Sequence, residues 1–425
     1  MALPMLFRFS AYGFLKNQQY YEPFIILAFR QEKGLSFFMI GLLIGFRELS
    51  VNLMEVPTGV VADLFGRRRS MILSLCSYIV SFLVFGLSAV TWHLFAAMFF
   101  FAVGEAFRTG THKAMILDWL RLEGRPADRT RTYGFTRAWS KIGSAVAVII
   151  ATGLVFTRGN YSDVFLFCIV PYLVGIANFL GYPRELDGQP EGTPSVRGVF
   201  VQLVRAFRQV WARRRLRRVL LESMGYQSTS KVTATYVQPV LRQLALALPV
   251  LVAVEAQTRT TLLAGAVYLV LAVVSAFGSF KSGSVAAWFG DEARAARGLW
   301  GLTLGGFVVV AAALWFGLYG LAVLGFIVLL ILFNFWRPIT ITRVDNETEA
   351  RMGATMLSIE SQAQALAAMA LAPLLGLAVD RLGGGPEAPA LWVVGAVGAV
   401  VALVGVLVPT MAPAPGGGQA GTGQG

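Results

Sequence analysis

Apolar stretches of about twenty residues, separated by short polar links, run along almost the whole chain. A stretch that long crosses a hydrocarbon core of roughly 30 Å as a helix. The pattern predicts twelve spans, near residues 10–29, 36–58, 71–90, 93–117, 134–156, 163–182, 217–240, 258–280, 298–316, 318–338, 353–378 and 390–409. The fold class is therefore an all-α membrane protein. Over 183–216 the apolar pattern lapses, with Pro183, Asp187, Pro190, Gly192 and Pro194 followed by a strongly basic run. This lapse divides the chain into a six-helix half (1–182), a basic linker (183–216) and a second six-helix half (217–409). The remaining tail, 410–425, is rich in Pro, Ala, Gly and Gln and is expected to be disordered. Within the linker, Val199–Leu216 reads either as an amphipathic helix lying on an anionic leaflet or as a solvated basic segment.

Composition agrees. The chain is 56% hydrophobic and only 14% charged, where a soluble protein carries about a quarter charged residues. A formal charge of +13 could point to nucleic acid. The basic residues, however, lie in the links between spans, so nucleic acid is excluded. By parity, one side holds Arg67–Arg69, Arg121, Arg125, Arg129, Arg131, Arg213–Arg215, Arg217 and Arg218. The other has only scattered charges such as Arg30, Lys33, Arg158, Arg259 and Arg381. This asymmetry puts the arginine-rich links and both termini in the cytoplasm of a multi-pass plasma-membrane protein, facing anionic lipids. Cys76 and Cys168 both fall inside spans and read as small buried hydrophobes. The first apolar segment contains Lys16, Asn17, Gln18, Gln19 and Glu22, too polar for a cleaved signal. There is no G-x-x-x-x-G-K-[ST] loop, Cys/His cluster or G-x-S-x-G. ATP-driven, metal and serine-hydrolase chemistry are accordingly disfavoured, no catalytic residue, metal or cofactor is assigned, and the chain is not expected to be an enzyme.

One link stands out. Gly59-Val60-Val61-Ala62-Asp63-Leu64-Phe65-Gly66-Arg67-Arg68-Arg69 packs a carboxylate, two glycines and three arginines into a tight turn. It resembles the G-x-x-x-D-x-x-G-R-[RK]-[RK] signature between helices two and three of the major facilitator superfamily. Gly283-Ser284-Val285-Ala286-Ala287-Trp288-Phe289-Gly290 repeats its glycine spacing between spans eight and nine, with Ala287 in place of Asp63. A partial match to another family string, Asp345–Ser358, lies between spans ten and eleven. The resemblance covers roughly residues 7–409. It implies two pseudo-symmetric six-helix bundles rocking about a midplane site lined by spans one, four, seven and ten. It also implies a gating role for Gly59, Asp63, Gly66, Arg67 and Arg68. Arg67 would pair with Asp118 at the inner gate, and Asp63 would face the positive end of span eleven. Span five lacks the Gly-Pro pair of the family's drug/proton antiporters.

Ionisable residues inside a span are costly and so are functional candidates. Glu105, Arg108, Thr109, His112 and Lys113 form one stripe at 100° per residue on span four. The alternative is a structural Glu105–Arg108 pair. Span two places Arg47 beside Glu48, Asn52 and Glu55, and its guanidinium, always charged, needs a carboxylate or an anionic ligand. Span one adds Lys16 and Glu22. Span seven adds Glu222, Tyr226, Thr229, Thr233 and Tyr236 as a stripe, and span ten ends in Asn334, Trp336 and Arg337. The substrate and coupling candidates are Glu22, Arg47, Glu48, Glu105, Arg108, His112, Lys113, Glu222 and Tyr226. Glu105, Glu22 and Glu222 can carry a coupling proton, and His112 ranks behind them. The reading is a monomeric secondary transporter of a small polar solute, an organic anion by preference, coupled to a proton or Na+. A drug or metabolite exporter and a non-transporting receptor are the alternatives.

Overall fold

The computed structural model describes residues 4–187, 208, 210–248, 254–289, 291–348, 353–385 and 388–408, without the side chains of 56, 60, 63–65, 276–289 and 353–355. Only 208 and 210–216 of the expected amphipathic helix Val199–Leu216 are described; residues 188–207 and 209 of the linker lie outside the described residues. So do the tail, the Asp63 side chain and the side chains of the second glycine-spaced string.

Among the described residues the architecture is helical, with no strand. Eight helices are long and apolar enough to cross a membrane. Spans two and three are Phe37–Phe65 and Arg67–Leu87, and spans five and six are Arg129–Arg158 and Asp163–Leu180. Spans eight to eleven are Ala256–Phe289, Glu292–Trp315, Tyr319–Asn346 and Gly353–Arg381. Trp392–Leu407, span twelve, is shorter. The three expected spans that remain are each interrupted, which corrects the reading of them as single helices. Span one is Met5–Leu15, then turns, then Ile25–Leu27 and a π-helical turn, Ala28–Glu32. Span four is Thr91–Arg108 followed by Thr111–Leu122, and span seven is Arg214–Ala234 followed by Val237–Ala247.

Each break has a local cause. Pro23 has no N–H to donate and closes the non-helical stretch of span one. Gly110 sits at φ 80°, which ends one helix and starts the next. In span seven, the ring of Pro239 would collide with the Thr235 carbonyl in a continuous helix, so the chain turns at Thr235–Tyr236.

The helices before residue 187 pack on one another, as do those after 214. The two groups meet mainly where span two lies along span eleven and span five along span eight. The span two–eleven contact is backbone to backbone. A Cβ on Gly41 would strike the Ala372 carbonyl, and one on Gly376 would strike that of Phe37. Close helix approach of this kind needs glycine. Asp380 of span eleven accepts the N–H groups of Phe37 (3.2 Å) and Phe38 (2.8 Å), the free donors at the start of span two. Gln238, after the break in span seven, donates to the Glu22 carbonyl and accepts from the Ile26 N–H, both at 2.8 Å. These contacts close the molecule on the face opposite the arginine-rich links.

On the arginine-rich face, the turn between spans two and three depends on Gly66, at φ 95° and ψ 141°. A side chain there would be strained, and its Cβ would lie 3.0 Å from the Asp187 carboxyl carbon. Asp187 accepts the Arg68 N–H at 2.9 Å, capping span three, while the Arg68 guanidinium donates to the Tyr182 carbonyl at 3.2 Å.

Candidate functional site

A cavity of about 460 Å³ lies between the two groups of helices, on the arginine-rich side of the span two–eleven contact. Span two contributes Glu48, Asn52 and Glu55, and span four contributes Glu105 and Thr109. Gln227, Ser228, Ser230 and Lys231 come from span seven, with Ser361 and Gln364 from span eleven. Leu330 and Phe333 of span ten supply an apolar patch.

Buried Glu48 anchors the cavity wall. Its Oε1 accepts from Arg47 Nη2 at 2.6 Å, and its Oε2 accepts from Lys231 Nζ at 2.8 Å. One carboxylate thus pairs with two cations and ties span two to span seven. Arg47 therefore has its carboxylate within its own helix, with its guanidinium also 5.8 Å from the Phe101 ring. The Lys231 side chain is half-exposed to the cavity. The Arg47–Glu48–Lys231 group carries one net positive charge.

A second carboxylate, Glu360 of span eleven, is fully buried beside the cavity. It accepts two hydrogen bonds from Arg337, at 2.7 and 2.8 Å, one from Gln227 at 2.9 Å and one from the Ser223 hydroxyl. Gln364 donates to Ser223 at 3.3 Å. Two cavity-lining amides are thereby oriented by a charge pair behind them.

The break at Gly110 redistributes the span-four stripe. Glu105 and Thr109 line the cavity, with Arg108 at 3.9 Å from Glu105 and beside Tyr12 and Tyr78. His112 packs among Phe9, Tyr12 and Phe179, with ring centroids at 5.5, 4.2 and 6.4 Å. Lys113 lies over the Tyr133 ring at 5.6 Å. Neither His112 nor Lys113 lines the cavity. The same holds for the span-seven stripe. Tyr226 stacks on Trp336 at 3.9 Å and its hydroxyl meets Thr303 at 2.9 Å, while buried Glu222 pairs with Arg343 of span ten at 2.8 Å. Span seven turns its neighbouring face, with Gln227 and Lys231, toward the cavity.

Around the span-one break, Lys16 lies within electrostatic range of Arg108 and of Arg137 on span five, and Lys141 is close to Arg137 and Glu22. Among the described residues, Lys16, Arg137, Lys141 and Glu22 make no ion pair within 4 Å. At the arginine-rich end, Arg67 donates to Asp118, which also meets Arg121 at 3.4 Å. Gly59 faces open space.

Lys231 and Asp187 are the residues missed as site components from sequence, whereas Glu360 is legible there as an acidic residue inside a span. Lys231 carried a usable signal, a lone lysine mid-span, but the cap by Asp187 joins residues over a hundred positions apart.

The comparisons agree on the fold. A sequence profile described as the Major Facilitator Superfamily matches residues 9–368. Among solved structures, the nucleoside transporter NupG superposes with a TM-score of 0.78 at 12% identity, over 95% of this chain and 99% of that one. A POT family transporter in complex with 5-aminolevulinic acid gives 0.70 at 14% identity, over 95% and 96%. A bacterial homolog of the human lysosomal transporter Spinster, inward-facing and unoccupied, gives 0.65 at 17% identity, over 95% and 94%. At these identities the likeness is one of fold. No protein of curated function matches the chain.

Proposed function

The chain belongs to the Major Facilitator Superfamily, and we propose that it is a secondary active transporter moving a small polar solute by alternating access. The cavity carries this reading. It presents polar and charged side chains beside an apolar patch, is walled by both helix groups and is shut from one face by the span two–eleven contact. Rocking that parts this contact and closes the other end would expose the same residues to the opposite side. With the arginine-rich links in the cytoplasm of a plasma membrane, the described state is inward-facing. The Arg67–Asp118 pair and the Asp63 turn would then bias the inward/outward equilibrium without touching solute.

The solute we propose is an organic anion. Lys231 brings one net positive charge to the cavity, and outside its lining Lys16, Arg108, Arg137 and Lys141 stand within electrostatic range of one another, opposed among the described residues by Glu22 and Glu105. Arg47 and Arg337 are already neutralised, so they orient the site and do not bind the solute. Glu55 and Glu105 line the cavity and would oppose an anion when charged. Protonation of one of them on loading would remove that repulsion and couple solute to proton, with Na+ as the competing coupling ion. A zwitterion is the second reading, favoured by Lys231 and Glu55 sharing one cavity.

Thermal-shift screening over anionic, zwitterionic and cationic metabolites, followed by proteoliposome flux under an imposed pH or sodium gradient, tests this. An anion should stabilise the protein and accumulate, and Arg108→Gln should fold but lose binding. Unchanged affinity in Arg108→Gln, or transport of a purely cationic solute, overturns the anion reading. A stabilising ligand that never crosses the membrane overturns transport in favour of a receptor.

A further inference from the structure

Away from the cavity, a groove of about 370 Å³ runs between the start of span seven, span nine and the end of span twelve. Its rim is Arg214, Arg217 and Arg218. Its walls are Leu221, Gly225, Trp300, Val401, Val404 and Val408. We propose that it binds one anionic phospholipid, with the headgroup phosphate on the three arginines and an acyl chain along the apolar walls.

Three independent observations support this. First, the arginines lie in the opening turns of the Arg214–Ala234 helix, which has no acidic residue in its first turn and no side-chain cap. Cations at the positive end of a helix are unfavourable unless an anion joins them. Among the described residues, Arg214, Arg217 and Arg218 make no ion pair. The carboxylate in the groove, Glu222, is already neutralised by Arg343 at 2.8 Å. Second, the groove has the shape of a chain site. It runs inward from the arginine-rich end past Val408, Val404 and Val401, roughly 10 Å at 1.5 Å per residue. Leu221 and Val404 are both 55% exposed. Third, two buried polar atoms of groove-lining residues, Trp300 Nε1 and Glu222 Oε1, have no hydrogen-bond partner among the described residues. A seated lipid that shifts the wall covering these atoms would offer the indole a glycerol-ester carbonyl and the carboxylate a headgroup hydroxyl.

A lipid fits better than the alternatives. A free phosphate would satisfy the arginines and leave the apolar walls bare. Segment 188–207 of this chain carries Arg197 and Arg205 against a single acid, Glu191, the wrong sign for this rim. Juxtamembrane basic pockets between helices are suited to anionic headgroups, each arginine near the surface adding attraction.

Native mass spectrometry of the full chain in neutral maltoside micelles tests the proposal, with dioleoyl phosphatidylglycerol or dioleoyl phosphatidylcholine titrated in. One retained phosphatidylglycerol per protein is expected, with phosphatidylcholine at least tenfold weaker. Two variants separate head from chain. The triple Arg214→Gln, Arg217→Gln, Arg218→Gln should lose retention at least tenfold. Gly225→Leu should do the same with the arginines intact. A Cβ on Gly225 would come no closer than 3.8 Å to Val401 and 4.0 Å to Trp300, so the added side chain would enter the groove without a clash at its base. Should Gly225→Leu fail to fold, competition by water-soluble glycerol 3-phosphate supplies the second arm. Displacement of phosphatidylglycerol by equimolar glycerol 3-phosphate would reduce the site to a phosphate site and overturn the lipid. Equal retention of the two lipids, retention unaffected by the triple variant, or a protein dimer that excludes lipid would also overturn it.

Discussion

The two helix groups treat their membrane-embedded charges differently. In the second, Arg337–Glu360 and Arg343–Glu222 close at 2.7 and 2.8 Å around fully or nearly buried carboxylates. In the first, Glu105 and Arg108 stand 3.9 Å apart, and Lys16, Arg137, Lys141 and Glu22 make no ion pair among the described residues. Among the described membrane-embedded carboxylates of that group, Glu48 is the tightly held one, and one of its two partners, Lys231, lies across the boundary. Tight pairs fix helices; loose charges are held ready for something else. The second group reads as the scaffold and the first as the responsive wall.

The largest effect expected from this contrast is on the scaffold. Arg343→Met leaves Glu222 charged and buried without a partner, which should cost about 3–5 kcal/mol of stability. Thermal unfolding in detergent measures it, and Glu222→Leu added to Arg343→Met should recover most of the loss. A single variant as stable as the parent would remove the contrast. Next is the loose wall. Lys141→Gln should leave the unfolding temperature nearly unchanged while weakening anion binding about tenfold, the scale of one charge-assisted contact. Calorimetric titration reads the second quantity. A large drop in melting temperature with unaltered affinity would show that Lys141 belongs to the scaffold type. The smallest effect lies at the turn between spans two and three. Asp187→Ala removes the cap on span three and should cost about 1 kcal/mol, with Asp187→Asn costing less because an amide oxygen still accepts the Arg68 N–H. Equal losses in the two variants would mean that the ion pair of Asp187 with the Arg68 guanidinium, 3.9 Å apart, matters more than the cap.

Much of the fold was legible in the apolar periodicity, because lipid forces long apolar helices and the link charges set their alternation. The turn at Gly59–Arg69 was legible as well, since Gly66 occupies a backbone region that other residues avoid. The interruptions were harder to foresee. Pro23 and Pro239 break their spans, yet Pro57, Pro171, Pro338 and Pro373 all sit inside helices. A proline marks where a break can occur; neighbouring partners such as Gln238 decide whether it does. Two members of the span-four stripe, His112 and Lys113, and the span-seven stripe fall outside the cavity lining for a related reason. A projection at 100° per residue assumes an unbroken helix, and it cannot tell a face stacked on Trp300 and Trp336 from one that meets solvent.

The break in span one also installs a clock. Cys168 of span six has no exposure and lies beneath the break, beside the backbone of Tyr20 and Tyr21. A rearrangement that lifts that stretch away would uncover the thiol. In a Cys76→Ser background, the rate of maleimide alkylation at Cys168 would therefore count how often the segment opens. A saturating ligand that slows or speeds that rate would reveal its coupling to span one before any flux is measured.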